Sequence, residues 1–254
     1  MMTKKNIAVL GSGPAGLVAA WTALRYGEVD IFSARRSPSQ QWGAQYLHGP
    51  IPFATPSLAE GVIRSEFLGS ARTYRDKIYG PDTVGEDEVS WGKFPAYQEA
   101  WDLRRAYGWL WDRLGQSVHQ VNVAQAGVVD DLVEDYDAVV SSVPAPVLCL
   151  RTSEHAFPGY NIDVVAHPGD VNDNNLVIYD GHEDSKRYRY SQVFGHAHTE
   201  YPEGLGPAGS ATITKPYTTD CTCHPEVVRV GRYGRWKKGV LVHEVVREVD
   251  RALQ

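Results

Sequence analysis

Three glycines near the N-terminus have a spacing that suits the binding of a dinucleotide. They form the pattern Gly-x-Gly-x-x-Gly at Gly11, Gly13 and Gly16. In this pattern the first glycine permits a tight turn, the second lets the backbone approach a pyrophosphate, and the third lets a helix pack closely on a strand. The N–H groups at the start of the helix then face the phosphates. The pattern predicts that phosphates are bound by Gly11, Gly13, Pro14, Ala15 and Gly16.

A second candidate position lies at the end of the next apolar segment. Dinucleotide sites commonly place a carboxylate there, about 20 residues after the glycines, to bind ribose hydroxyls. This chain has Ser33 near that position, followed by Arg35 and Arg36. A serine hydroxyl binds ribose more weakly than a carboxylate does. The two arginines could bind a 2′-phosphate, lie beside an adenine or be solvated. Ser33, Arg35 and Arg36 are therefore candidate cofactor-binding residues, and they do not distinguish FAD from NADP.

Two sets of metal-ligating residue types are also present. His196-x-His198 would share one face of a strand, and Cys221-x-Cys223 is followed directly by His224. Neither set has the spacing of a zinc site, and no second ligand pair with standard separation accompanies them. The sequence therefore predicts no metal.

The glycines lie in a strand–helix–strand unit. Ile7–Leu10 is a short apolar run typical of a strand buried on both faces, Leu17–Tyr26 has helical spacing and ends at Gly27, and Val29–Phe32 is a second strand. The unit has about the 30 residues expected of a βαβ motif.

The remaining elements are predicted from periodicity. Helical spacing extends over 58–79 and 97–114, with an acidic loop over 80–92 between them. Short strands are expected at 118–123 and 128–129, and a parallel strand at 137–144. A more antiparallel β region covers 163–166, 176–179 and 188–194. The chain ends with a strand at 227–230, a turn at 231–239 and a helix at 240–253.

Composition restricts the class of protein. The 254 residues are 43% hydrophobic with a net charge of −6, which gives no basic surface for nonspecific binding to nucleic acid or anionic lipid. Three cysteines are too few for a disulfide framework, and no apolar segment is long enough to cross a bilayer. We expect a cytoplasmic protein with a small-molecule substrate, and we make no prediction of its oligomeric state.

Several segments resemble one family of flavoproteins. The glycine loop with Leu17, the run Gly43–His48, the strand 136–144 and the segment 230–237 are similar to FAD-dependent oxidoreductases of the amine oxidase and UDP-galactopyranose mutase group. The tyrosine-containing segments at 188–190, 199–202 and 215–217 follow in the order of the mutase branch. The paired glycines that the group usually has after its second strand are replaced by Ser39-Gln40-Gln41.

The resemblance implies roles for further residues. His48 would lie over the flavin ring as a proton donor near N5, Tyr46 would line the same face, and Arg189 would hold an anionic substrate group. Arg232 would bind the pyrophosphate or the polar edge of the flavin, and Trp236 would pack on the cofactor or on the sheet. The resemblance also implies that Gly43, Ala44 and Gln45 lie along the isoalloxazine and that Gly231 lies beside the cofactor. Gly239, Val240 and Leu241 would start the last helix, whose N–H groups would face flavin N1 and O2.

The fold class expected from these observations is α/β, a Rossmann-like FAD-binding domain with a central parallel sheet and an inserted α+β cap. The FAD-binding domain would comprise 1–54, 116–150 and 222–254, and the cap or substrate region 55–115 and 151–221. We expect an FAD-dependent oxidoreductase that oxidises a C–N or C–O centre of a small polar substrate at flavin N5. The alternatives are a mutase-like, redox-neutral isomerase, an enzyme acting on a modified group of a polymer, and a flavin-binding protein without turnover.

Overall fold

The computed structural model describes residues 4–52, 60–80, 95–168 and 175–254. Two β-sheets are present. Their strands are β1 (Lys5–Leu10), β2 (Gly27–Ser33), β3 (Glu60–Gly69), β4 (Tyr97–Trp101), β5 (Val118–Gln120), β6 (Ala138–Ser141), β7 (Gly159–His167), β8 (Leu176–Gly181), β9 (Arg189–Val193), β10 (His196–Pro202), β11 (Ala211–Pro216) and β12 (Val227–Arg229). The α-helices are α1 (Pro14–Ala23), α2 (Ala71–Tyr79), α3 (Leu103–Leu114), α4 (Val128–Asp135), α5 (Gly231–Gly234) and α6 (Val245–Leu253).

The first sheet is parallel throughout and has the strand order β12-β6-β1-β2-β5. Its central strand β1 is covered on both faces, and Ile7, Val9 and Leu10 are fully buried. Helices α1, α3 and α6 contribute to the core on one face, and α4 contributes to the core on the other. This arrangement confirms the predicted α/β class with a central parallel sheet.

The second sheet has seven strands in the order β11-β7-β10-β9-β8-β3-β4. All its pairs are antiparallel except β3 with β8. Its core includes Ile63, Tyr74, Ile162 and Tyr188. The strands come from residues 60–101 and 159–216, which lie inside the segments predicted to form the cap; the domain boundaries themselves stay a prediction.

Helix α3 also comes from a predicted cap segment, yet it contributes to the core of the first sheet. Its residues Leu103, Leu110 and Leu114 share that core with Leu17 of α1 and Val249 of α6. Asp102 caps its N-terminus by accepting from the backbone N–H groups of the first turn.

Two segments predicted to be helical throughout begin with a strand. In the segment 58–79, Glu60–Gly69 is strand β3 and only Ala71–Tyr79 is helical; in 97–114, Tyr97–Trp101 is strand β4. Short apolar runs fit both periodicities, and pairing of β3 with β4 and β8 decides the outcome here. Gly69, with a φ of +70°, lies where β3 ends and α2 follows.

Residues 128–129, predicted to be a strand, begin helix α4. Gly127 precedes it in the left-handed conformation, and Asp130 and Asp131 lie in its first turn, where carboxylates are favourable near the helix N-terminus. Strands β10 and β11 were not predicted as separate elements. The last α-helix begins at Val245, after a 3₁₀ turn at Val242–Glu244, rather than at Val240. Of the predicted acidic loop 80–92, all but Gly80 lies outside the described residues.

No helix in the described ranges has the length and apolar character needed to span a membrane.

Candidate functional site

A cavity of about 950 Å³ lies between the two sheets. One wall is formed where β1, β2 and β6 end, at Gly11–Ala15, Ser33–Arg35 and Ser142–Pro144; the other is formed by side chains of β7–β11. Ligands of doubly wound sheets bind outside the carboxyl ends of the strands. Most predicted site residues line this cavity: Gly11, Gly13, Pro14, Ala15, Ser33, Arg35, Gly43, Ala44, Gln45, Tyr46, His48, Arg189, Arg232, Gly239, Val240 and Leu241. Gly16, Arg36, Gly231 and Trp236 are not among its lining residues.

The three loop glycines differ in what surrounds them. Gly11 has a φ of +96°, and a Cβ on Gly16 would lie 1.9 Å from the carbonyl oxygen of Gly11. A Cβ on Gly13, in contrast, would meet no heavy atom within 4 Å. Gly11 and Gly16 are therefore required by the fold itself, whereas at Gly13 the chain leaves open space in front of the backbone.

Ser33 is bound to the glycine loop. Its hydroxyl accepts a hydrogen bond from Ser12 Oγ at 2.8 Å and another from the backbone N–H of Arg35 at 3.3 Å, and the residue is buried. At the position that is commonly a carboxylate in dinucleotide sites, this chain thus has a hydroxyl that already forms a hydrogen bond with the glycine loop. Arg35 lies at the cavity and is exposed.

The segment before the last helix lies against the start of α1. Gly231 has a φ of +68°, and a Cβ there would be 2.7 Å from Cβ of Ala15. Its N–H donates to Glu248 Oε2 of α6 at 3.0 Å. This contact brings the following residue, Arg232, to the cavity, where its Nε is buried with no hydrogen-bond partner.

Two residues near the last helix make hydrogen bonds within the chain. The N–H of Leu241 donates to Glu244 Oε2 at 2.8 Å, so the chain itself satisfies a donor that was predicted to face the flavin. Trp236 donates from Nε1 to the carbonyl of Pro158 at 2.9 Å and packs edge-on against Phe157. It therefore packs beside the chain that leads into β7 instead of lining the cavity.

The loop 41–45 is held by an arginine of α3. Arg104 donates to the carbonyl oxygens of Gln41 and Gly43, each at 3.1 Å, and to that of Gln45 at 3.4 Å. Gly43 has a φ of +78°, and a Cβ there would be 2.7 Å from Oε1 of Glu200. The loop thus lies directly beside the second sheet.

His48 packs on Tyr46, with ring centroids 4.5 Å apart, and its Nδ1 contacts the side-chain amide of Gln98. His48 is exposed to solvent on one side, and partial desolvation of its ring, with the nearby charges of His243 and Arg232, lowers its pKa to about 4. The imidazole is therefore neutral at pH 7, so the predicted proton donor near N5 is not a cationic ring.

A buried cluster of charged residues lies on the second sheet. Glu200, 1% exposed, accepts from Arg189 Nε and Lys215 Nζ, each at 2.8 Å, and from the Tyr188 hydroxyl. Burial alone would raise the pKa of Glu200, but the charges of Arg189 and Lys215 hold it well below its usual range. Burial lowers the pKa of Lys215 to about 8, against the raising effect of Glu200. Arg189, predicted to hold a substrate, is thus already paired with a carboxylate.

The described lining residues carry an excess of positive charge. Glu200 is their one carboxylate, and their cationic side chains are Arg35, Arg189, Lys215, Arg232 and Lys238. This wall favours an anionic ligand. Glu200, Lys215 and Arg104 received no role in the sequence analysis. For Glu200 and Lys215 the available signal was a charged residue within a strand, and it required β10 and β11 to be recognised first.

Comparison with solved structures shows the fold. The chain is similar to reduced UDP-galactopyranose mutase, with 12% identity and a TM-score of 0.58 over 99% of this chain and 96% of that one. It is also similar to 2-methyl-3-hydroxypyridine-5-carboxylic acid oxygenase, with 10% identity and a TM-score of 0.53 over 99% and 87%, respectively. A third similar structure is a tryptophan C-6 flavin-dependent halogenase of taromycin biosynthesis, with 11% identity and a TM-score of 0.52 over 98% and 70%. No family model matches the chain, and no curated protein matches its sequence significantly.

Proposed function

We propose that this chain binds FAD and is a flavin-dependent oxidoreductase. The observation that carries the proposal is that Gly13, at the start of α1, and Arg232, before the last helix, line one continuous cavity. In this arrangement Gly11–Ala15 bind the pyrophosphate, and the isoalloxazine lies between the segment Gly43–His48 and Arg232.

The residues present fit such a cofactor. The open space in front of Gly13 gives a phosphate access to the backbone N–H groups at the start of α1. A buried donor without a partner costs about 1–3 kcal/mol, and an acceptor of the cofactor would satisfy Arg232 Nε. The cavity is also near the upper end of the roughly 300–1,000 Å³ usual for ligand pockets. One neighbour in fold is described as flavin-dependent, which favours FAD over NADP.

The proposed reaction is oxidation of a C–N or C–O centre in a small polar substrate that carries an anionic group. When bound, FAD supplies the acceptor for the hydride. Lys215, whose ammonium reaches the cavity from the second sheet, holds the anionic group, and Arg189 keeps Glu200 from cancelling that charge. His48, which is neutral at pH 7, offers its ring for a hydrogen bond, and Tyr46 supports that ring.

The test is purification of the chain, an absorbance spectrum, and the mass of the released cofactor. The proposal expects a yellow protein that releases FAD. A colourless chain that cannot be reconstituted with FAD, or one that releases only NADP, contradicts it. Anaerobic addition of candidate substrates then identifies an oxidase by bleaching without added reductant, and anionic amines or alcohols should bleach more readily than their neutral amide or ester analogues.

A second candidate is a redox-neutral isomerase like the mutase. It is favoured by one observation, that the shared fold covers nearly the whole of the mutase chain. This candidate predicts turnover only after the flavin has been reduced with dithionite, with no net consumption of reductant. Turnover of the oxidised protein with one equivalent of acceptor consumed per product excludes it.

A further inference from the structure

Two connections between the sheets run side by side. The chain leaves the first sheet after β6 and enters the second at β7, and it returns between β11 and β12. The backbone N–H of Ala156 in the outgoing connection donates to Asp220 Oδ1 in the returning one at 3.1 Å, and Thr219 Oγ1 donates to the carbonyl of Ala156 at 2.9 Å.

Four ligating side chains meet where these connections touch. Cys149 and His155 come from the outgoing connection, and Cys221 and Cys223 come from the returning one. Their ligand atoms all lie within 4.8 Å of one another. All three cysteines of the chain are in this cluster. His224 follows Cys223 directly in the sequence but is not part of the cluster, because its Nδ1 lies 3.5 Å from Asp130 and 3.4 Å from Glu226.

The three separations among Cys149, His155 and Cys223 are close to those of a tetrahedral zinc site. Zn–S bonds of about 2.3 Å and Zn–N bonds of about 2.0–2.1 Å, at tetrahedral angles, put two sulfurs about 3.8 Å apart and a sulfur and a nitrogen about 3.6 Å apart. The observed distances are 3.9 Å for Cys149 Sγ to Cys223 Sγ, and 3.3 and 3.7 Å from His155 Nδ1 to these two sulfurs.

The surroundings suit a thiolate-rich cluster. Three thiolates and a neutral imidazole around Zn²⁺ carry a net charge of −1. The Arg229 guanidinium contacts Cys221 Sγ at 3.6 Å and donates to the carbonyl of Cys223 at 2.7 Å, and the backbone N–H of Arg151 points at Cys149 Sγ at 3.4 Å. Outer partners of this kind orient ligands and tune metal affinity.

From this arrangement we propose that Cys149, His155, Cys221 and Cys223 bind one structural Zn²⁺ that links the β6–β7 connection to the β11–β12 connection. Four protein ligands close the coordination sphere, which is the pattern of structural rather than catalytic zinc. Binding releases the protons of whichever thiols are still protonated. The metal joins segments that border both walls of the cavity, and its role is to fix the second sheet relative to the first.

A disulfide is the competing outcome for the same residues. The Cys149–Cys223 sulfur separation of 3.9 Å is far longer than a disulfide bond of about 2.05 Å. A disulfide would also leave one cysteine unpaired and His155 without a role.

The experiment uses the full chain, purified without a histidine tag, and does not depend on flavin. We expect about one zinc per chain by mass spectrometry of the metal. After removal of zinc by a chelator, Co²⁺ should give thiolate charge-transfer bands and the d–d bands of a tetrahedral site, saturating at about one equivalent. Absence of both zinc and these bands overturns the proposal, as does a Cys149–Cys223 disulfide found by thiol counting under denaturing conditions.

Substitutions identify the ligands. Cys223→Ser and Cys221→Ser should weaken the charge-transfer bands, and His155→Gln should lower Co²⁺ affinity by at least about tenfold. The matched control is His224→Asn, which changes the histidine next to Cys223 at a residue with a φ of +51°, a conformation that asparagine tolerates; it should bind as the wild type does. Metal removal should also lower the melting temperature of the wild-type chain by several degrees. Equal binding by wild type, Cys223→Ser and His155→Gln, or an unchanged melting temperature, contradicts the assignment.

Discussion

Lys215 Nζ lies 2.8 Å from Glu200 Oε2, inside a sheet whose other nearby cation, Arg189, binds the second oxygen of the same carboxylate. One buried negative charge therefore compensates two positive charges that face the cavity. Glu200 therefore contributes to the stability of the fold. Lys215, when protonated, attracts an anionic ligand in the cavity.

Glu200→Gln should destabilise the chain by about 3–5 kcal/mol, because it leaves Arg189 and Lys215 without a counter-charge in a buried position. Urea unfolding measures the change. Glu203→Gln, at an exposed position in the loop that follows the same strand, should stay within about 0.5 kcal/mol of wild type. If Glu200→Gln lost as little stability as Glu203→Gln, the charges of Arg189 and Lys215 would be compensated in another way.

Binding of an anionic probe should weaken as the pH rises above 8. Lys215 has a pKa lowered to about 8, so its ammonium is lost over a range in which an ordinary lysine remains charged. If the charged form alone binds, affinity for benzoate falls about tenfold per pH unit above that value. Calorimetric titration between pH 7 and 10 measures this. Lys215→Met should remove the dependence, and the exposed Lys237→Met should retain it; the same slope in Lys215→Met would refute the assignment.

Gly13→Val should impair cofactor binding, whereas Gly16→Val should impair folding. A side chain at Gly13 enters open space, so the cofactor-free protein should lose no more than about 1 kcal/mol while FAD retention is abolished. A side chain at Gly16 collides with the Gly11 carbonyl, so that variant should lose stability by more than about 3 kcal/mol or not fold. Urea unfolding and the ratio of flavin to protein separate the two. Retention of FAD by a stable Gly13→Val protein would mean that the pyrophosphate binds elsewhere.

Arg104→Met should loosen the loop 41–45, because it removes the donor to three carbonyl groups. We expect faster amide hydrogen exchange over 41–46 and FAD binding about tenfold weaker, which corresponds to about 1.4 kcal/mol. Arg105→Met, its exposed neighbour on the same helix, is the matched control and should change neither quantity. Unaltered exchange in Arg104→Met would show that the loop is ordered without these contacts.

His48 should stay neutral from pH 8 down to about pH 5, because partial desolvation and the nearby positive charges lower its pKa to about 4. Nuclear magnetic resonance of labelled histidine, with the signal assigned by its loss in His48→Gln, should report a neutral ring over this range. An apparent pKa near the ordinary value of about 6.5 would show that the wall of the cavity does not desolvate the ring.

The sequence alone determined the elements whose signals are local. The apolar run Ile7–Leu10, the glycine spacing from Gly11 to Gly16 and the following helix specify the β1–α1–β2 unit, because strand, turn and helix are encoded within about 30 residues. The segment at Gly231 and Arg232 was identified by its resemblance to a family of flavoproteins.

Only the tertiary structure decided the rest. Whether Glu60–Gly69 is a strand depends on β8, more than a hundred residues away, and that strand provides the pairing that periodicity could not reveal. The Glu200 cluster, the contacts of Arg104 and the meeting of Cys149 with Cys223 likewise join residues from separate segments. A charged or thiol side chain acquires its chemistry from burial and from its neighbours, and the folded chain brings those neighbours from distant parts of the sequence.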